Sequence, residues 1–306
     1  MIRTSHYLFA ALCLGSLFAC SRQFTDSYIV PKWCFAVFML FIVLAYEAVN
    51  ILFYRQNEQK DTRISVYGFI IVISCFLQAM FGVVQFFGFF QISTTLWVTG
   101  SFDNPAGFAA CLCAGFPFVG FLLSDSNKYI RYVGGLIGFV IVIAVILSQS
   151  RAGIMSIAFI CFILLNMKFF HKRWVKYLSL LCFALLLSGC YWMKKDSADG
   201  RLLIWRCSVS MVKDAPWLGH GIGSFEARYM DYQAEYGLSR YSMLADNVKH
   251  PFNEYLGVLL NFGFVGLLMI LALITLLIYC YKKHPCAEKR IAFYSLISIG
   301  VFSFFS

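Results

Sequence analysis

The chain has 306 residues, 60% of them hydrophobic and 13% charged, with a formal net charge of +10. A soluble domain carries about 25% charged residues, so this composition excludes a water-soluble globule and requires an integral membrane protein. The apolar mass falls into runs of roughly 20 residues, the length a helix needs to cross about 30 Å of hydrocarbon, and the short alternating strands of an outer-membrane barrel are missing. The basic excess forms no stripe interleaved with exposed aromatics, so it is assigned to cytoplasmic loops, and no nucleic-acid partner is expected.

Nine apolar spans are predicted, near 6–21, 33–54, 65–90, 104–123, 130–149, 152–170, 174–192, 252–281 and 291–306. The opening run "HYLFAALCLGSLFACS" resembles a signal sequence, or a lipoprotein signal ending at Cys20. The bulky Phe18 argues against a small-residue cleavage site, and the run is taken as the first membrane helix. Glu47 is an acid inside the second span, close to its cytoplasmic end. The runs at 65–90 and 252–281 exceed the minimum length and are expected to tilt or project from the bilayer. "GGLIG" at 134–138 contains a small-xxx-small step, assigned to packing within the bundle. The last run has sixteen residues, barely enough to cross, so the chain is expected to continue beyond Ser306. Of the 12 cysteines, Cys13, Cys34, Cys75, Cys111, Cys113, Cys161, Cys182 and Cys280 lie inside apolar runs. No CxxC pair occurs, so the thiols are taken as small hydrophobes rather than metal ligands or disulfides.

Basic residues set the sidedness. With the N-terminus inside, 14 of the 25 Lys and Arg fall on the cytoplasmic side, among them Arg3, Arg55, Lys60, Arg63, Lys128, Lys172, Lys282 and Arg290. The short loops opposite hold only Arg22, Lys32 and Arg151. The remaining 8 lie in the one long connection, 193–251, which carries little topological weight. The asymmetry places that connection outside, in the periplasm of a Gram-negative cell.

Polar chemistry concentrates in 193–251. An amphipathic helix is predicted from about Arg201 to Asp214, with Leu202, Trp205, Val209 and Val212 on one face and Pro216 past its end; it is expected to lie on the membrane surface. "WLGHGIGSF" follows as a flexible glycine-rich turn containing a solvated His220. It is no nucleotide loop, because no Lys-Ser/Thr follows and no parallel sheet precedes it. A second helix starts with Ser224 as N-cap, Glu226 in the first turn and Gly237 as the stop. Its Tyr229, Tyr232 and Tyr236 share one face, for packing against the membrane top or for stacking on sugars.

Three basic residues sit at the outer rim: Arg151 in "SQSRAG", Arg201, and His250 ahead of the eighth span. Glu254 is placed one turn beyond His250 on the same face, where it favours the helix dipole and can orient the imidazole. Ionisable groups at membrane depth are costly and mark function, although an interfacial arginine also snorkels to headgroups. Guanidinium groups match phosphate oxygens bidentately, and imidazole takes a proton from a hydroxyl near neutral pH. Together they fit glycosyl transfer from a lipid-linked pyrophosphate. With no DxD pair in the sequence, no metal and no cofactor are expected.

The pieces "GSFDNPAGFA", "SQSRAGI", "GRLLIWRCSVSMVKDAPWLGHGIGSF" and "HPFNEYLGVLLNFGFVGLL", in that order, resemble the O-antigen ligase and polymerase superfamily of bacterial inner membranes. The third is similar to the family's R-x-x-x-W … D-x-P-x-x-G-x-G-x-x-x-F run, and the fourth to its segment after the large periplasmic loop. The resemblance covers about residues 100–271. It implies an all-α polytopic helical bundle of the GT-C type, with transmembrane helices over 1–192 and 252–306 and a periplasmic loop with short amphipathic helices over 193–251. It implies a multi-pass protein of the inner membrane, an undecaprenyl-diphosphate-linked glycan as donor, and lipid A–core or another glycan as acceptor. Carried over by motif, Arg151 and Arg201 bind pyrophosphate and His250 activates or positions the acceptor. Arg206, Glu254, Tyr229 and Tyr232 complete the candidate set as substrate-binding residues. The family's small polar residue after the histidine is here Pro251, which suits a first helical turn but lacks a backbone donor. Ligase and polymerase share this bond chemistry, and the ligase is preferred because the single large loop lies late in the chain. A transporter of lipid-linked glycan is the competing class; it predicts broken helices and repeated halves.

Overall fold

The computed structural model of this chain describes residues 2–21, 23, 29–53, 60–89, 98–168, 173–193, 195–235, 245, 247–283 and 286–305. Arg22, Arg55, Lys172, Tyr236, Gly237 and Ser306, named above, lie outside the described residues. Among the described residues there are helices and no strands. In chain order they are α1 (Ile2–Phe18), α2 (Ile29–Phe53), α3 (Lys60–Phe86), α4 (Pro105–Gly115), α5 (Val119–Leu123), α6 (Lys128–Leu147), α7 (Arg151–Lys168), α8 (Arg173–Met193), α9 (Lys195–Asp214), α10 (Ser224–Ala234), α11 (Glu254–Lys283) and α12 (Ala287–Phe305). Among the described residues, five stretches are long and apolar enough to cross a membrane: Ile29–Val49, Val66–Phe86, Pro105–Leu123, Lys128–Leu147 and Glu254–Lys283. The protein is an all-α polytopic membrane protein.

Helix starts follow the local chemistry. Asn104 caps α4 by accepting from Gly107 N at 2.7 Å, with Pro105 at the first position, and Asn127 caps α6 by accepting from Tyr129 N at 2.9 Å. The fourth predicted span is not one helix. A 3-10 turn at Phe116–Phe118 separates α4 from α5, because Pro117 has no N–H for the α ladder.

The chain divides into two compact units. The first comprises Met1–Ile157 and Ala287–Ile299; the second comprises Ala158–Cys286 and Gly300–Ser306. In the first unit, Gly134 and Gly138 bring α6 against Leu122 and Val119 of α5, so the small-residue step serves internal packing. Several polar groups inside this unit are closed by partners far away in the chain. Glu47 accepts from Ser5 Oγ and from Tyr67 OH; the Tyr67 bond is 3.2 Å. Ser156 Oγ donates to Ser298 O at 2.6 Å, and Ser298 Oγ donates to Cys113 O at 2.8 Å. With no water in hydrocarbon to satisfy such groups, each bond is needed.

The second unit carries an apolar cluster formed by α9, α10, the first turns of α11 and Ala245 of the connection between α10 and α11: Leu203, Ile204, Cys207, Met211, Phe225, Tyr229, Ala245 and Leu260. A fully buried Leu, Ile, Met or Phe contributes about 1.5–3 kcal/mol, enough to hold two short helices that would be marginal alone. This cluster corrects the expected face of α9. Leu202 and Val209 point outward, whereas Leu203, Ile204, Cys207 and Met211 point in. The helix is apolar on more than one side, and the docked α10 decides which side is covered. α9 also begins at Lys195, six residues before Arg201, with Asp196 in its first turn.

Candidate functional site

Within the second unit the residues just before α11 are held from three sides. Trp205 Nε1 of α9 donates to Pro251 O at 3.0 Å. The Arg201 guanidinium lies 4.8 Å over the Phe252 ring, and its Nη1 donates to Phe305 O at 2.5 Å. Asn253 caps α11, its Oδ1 accepting from Leu256 N at 3.1 Å while its Nδ2 donates to Phe304 O at 3.2 Å. Arg201 and Trp205 are four apart on α9, so one face of that helix carries both contacts. Phe252 has φ +50°, a left-handed conformation that a bulky side chain takes only under external constraint, and such outliers cluster at functional sites. His250 precedes this clamped segment and is exposed. The structure therefore brings Arg201 to the residues immediately following His250.

The expected His250–Glu254 pairing across one helical turn does not form. α11 begins at Glu254, and residues 250–253 are not helical. The cause is Pro251, which disfavours the α conformation at His250 and stands three residues ahead of the helix rather than in its first turn. Glu254 is exposed, in the first turn, where its carboxylate favours the dipole. Arg206 is also exposed, about 140° around α9 from Arg201 at 100° per residue.

The candidate tyrosines have separate roles. Tyr229 is fully buried, stacked 4.9 Å from Phe225 inside the apolar cluster. Its packing is against α9, not the membrane top. Tyr232 is half-buried and donates its hydroxyl to Asp214 Oδ2; this bond to the carboxylate raises the Tyr232 pKa above its ordinary value. Gly223, at φ +81°, takes the N-cap position of α10 expected for Ser224.

The glycine-rich turn is braced, contrary to expectation. His220 Nε2 donates to Met211 O at 2.7 Å, which leaves Nδ1 to accept from Arg228 Nη1 at 2.9 Å. Its backbone N–H donates to Leu260 O at 2.7 Å. α11 is broken at Gly263 (φ +61°), and the backbone groups freed there are taken by the turn: Phe264 N donates to Pro216 O at 2.8 Å and Val265 N to Trp217 O at 3.2 Å. Gly219, at φ +70°, allows the two backbones to meet, since a Cβ on it would lie 2.6 Å from Leu260 O.

Arg151 belongs to the first unit. It is half-buried at the first position of α7, after a corner closed by Ser148 and Ser150. Ser148 Oγ donates to Val145 O at 2.7 Å, and Ser150 Oγ accepts from Gly153 N at 3.3 Å. A cation at a helix N-terminus opposes the macrodipole, so its presence there needs a compensating anion or a functional reason.

Sequence reasoning counted Lys32 only as a topology charge. In the first unit its Nζ donates to Ser101 O and, at 3.1 Å, to Ser101 Oγ, and lies 4.4 Å over the Phe102 ring. It borders a groove of about 430 Å³ with Trp33, Asp103 and Asn104. The available signal was a lysine at the start of an apolar span. Asn253 was also missed, although an Asn directly before an apolar run is an N-cap signal.

Residues 136–271 match the family model described as O-antigen ligase. No curated protein and no solved structure matches this chain.

Proposed function

We propose, because residues 136–271 match the family model described as O-antigen ligase, that the protein transfers a glycan from an undecaprenyl-diphosphate carrier to a sugar hydroxyl, as an O-antigen ligase of the inner membrane. The observation that carries the proposal is the clamp by which Arg201 and Trp205 hold the segment that follows His250. In the proposed step the acceptor hydroxyl oxygen attacks the anomeric carbon. The bond from that carbon to the diphosphate oxygen breaks, and the carrier diphosphate leaves with the electron pair. Arg151 and Arg201 neutralise the departing charge, and the hydroxyl proton passes to His250. The acceptor is lipid A–core. A growing lipid-linked chain as acceptor would make the same chemistry a polymerase. The break in α11 is the kind of feature a transporter uses, but here the 216–217 backbone occupies the freed groups, which supports the transferase.

The test is His250→Ala, Arg201→Ala and Arg151→Ala, separately, in the native host, with surface glycan resolved on gels and the protein quantified in membranes. Each variant is expected to reach the membrane and to lose about 10²–10³-fold of glycan attachment, the scale of removing one charge-stabilising group. Unchanged banding in all three would remove the assignment. In a full deletion, accumulated lipid-linked polymer without attachment indicates a ligase, and capping by a single repeat indicates a polymerase.

A further inference from the structure

We propose that the 216–222 turn is a lipid-interface anchor, in which Trp217, Leu218 and Ile222 insert among the headgroups and first methylenes of the leaflet beside α11. Three observations fix this placement. First, the turn is tied to a spanning helix at known positions. Pro216 O, Trp217 O and His220 N bond to Phe264 N, Val265 N and Leu260 O, and the Trp217 ring meets Phe264 edge-on at 6.1 Å. Second, the twenty residues 264–283 rise about 30 Å, the thickness of the hydrocarbon core, and end at the exposed Lys282 and Lys283. Gly263 therefore stands at the opposite interface, and the turn stands there with it. Third, the exposure of α11 changes at the same level. Residues 255–259 are half-buried and Leu260 is fully buried, whereas Phe262, Phe264, Val265, Leu268 and Met269 are exposed, Met269 at 70%, as a lipid-facing surface would be.

The turn continues that surface. Trp217 is 70% exposed, Leu218 74% and Ile222 83%. Left in water, three exposed apolar side chains within one seven-residue turn would be unfavourable, and tryptophan is enriched at membrane interfaces. The only titratable group in 216–222, His220, turns back toward Met211 and Arg228, so insertion of the turn brings no charge into lipid. Its backbone polar groups at the level of α11 are bonded to the broken helix, which meets the requirement for irregular backbone at membrane depth. This anchor does not depend on which residues carry the transfer or on which side of the membrane the turn lies.

The test uses the full chain in nanodiscs of phosphatidylethanolamine and phosphatidylglycerol. A spin label is placed through the keto amino acid p-acetylphenylalanine at Leu218, Ile222, Glu226 or Leu268, one per variant. Collision rates with oxygen, which concentrates in lipid, and with a water-soluble nickel chelate are then measured. The oxygen-to-nickel ratio at 218 and 222 is expected to lie severalfold above that at 226 and close to that at 268. Ratios at 218 and 222 equal to that at 226 would put the turn in water and overturn the proposal. Low collision rates with both reagents would overturn it as well, by showing a protein or glycan covering the patch.

Discussion

Two polar connections lead into helices in this chain, and they are closed in opposite ways. The corner between α6 and α7 is closed by its own residues: Ser148 and Ser150 bond to backbone within a few positions. The 250–253 segment ahead of α11 is closed from a distance, by Arg201 and Trp205 about fifty residues upstream and by the Phe304 carbonyl, while Phe305 O holds Arg201. Local closure gives a corner that survives changes elsewhere. Remote closure makes the geometry near His250 depend on the whole α9–α10–α11 cluster, so that distant substitutions reach it.

The strongest way to break the remote closure is Gly263→Val. The side chain would overlap Trp217 O and take a left-handed backbone that a β-branched residue resists. A loss of about 3 kcal/mol or more is expected, read as a lower thermal midpoint in detergent and as low membrane yield. A midpoint equal to that of the parent protein would mean that the turn and the helix are not locked together. Trp205→Phe sharpens the comparison. It keeps the ring contact with Phe304 but leaves Pro251 O without its donor, for a cost of about 1–2 kcal/mol in the same melt. Greater protease sensitivity near residue 250 should accompany it; unchanged cleavage would show that α9 does not hold this segment. The smallest effect belongs to the local corner. Ser150→Ala removes the cap on Gly153 N and should cost about 1 kcal/mol, with no change in protease sensitivity near residue 250. A change there would erase the distinction between the two closures.

Much of the fold is legible in the residue order, because a span is announced by twenty consecutive apolar residues and a cap by one Asn before them. The helices near 29–53, 60–86, 128–147 and 254–283 follow from the length signal. Pro251 also carried a readable warning, since a residue before proline avoids the helical conformation, and that undoes the expected turn between His250 and Glu254. The inward face of α9 was not readable. Leu202, Leu203, Ile204 and Val209 surround the helix, and nothing within α9 says which side α10 will cover. The seating of Gly219 and of the His220 backbone N–H against α11 was hidden for the same reason, Leu260 lying about forty residues further on.

The sequence by itself determined that this is a bundle of membrane helices with one polar segment of sixty residues or so, and that arginine and histidine are its candidate reactive cations. Hydrophobic length and side-chain chemistry are properties of single segments and need no partner. Only the tertiary structure decided that Arg201 stacks on Phe252, that Tyr229 is core, and that a glycine turn fills the break in α11. Each of these is a contact between residues far apart in the chain, and such contacts are selected by the packing of whole helices, which no local pattern encodes.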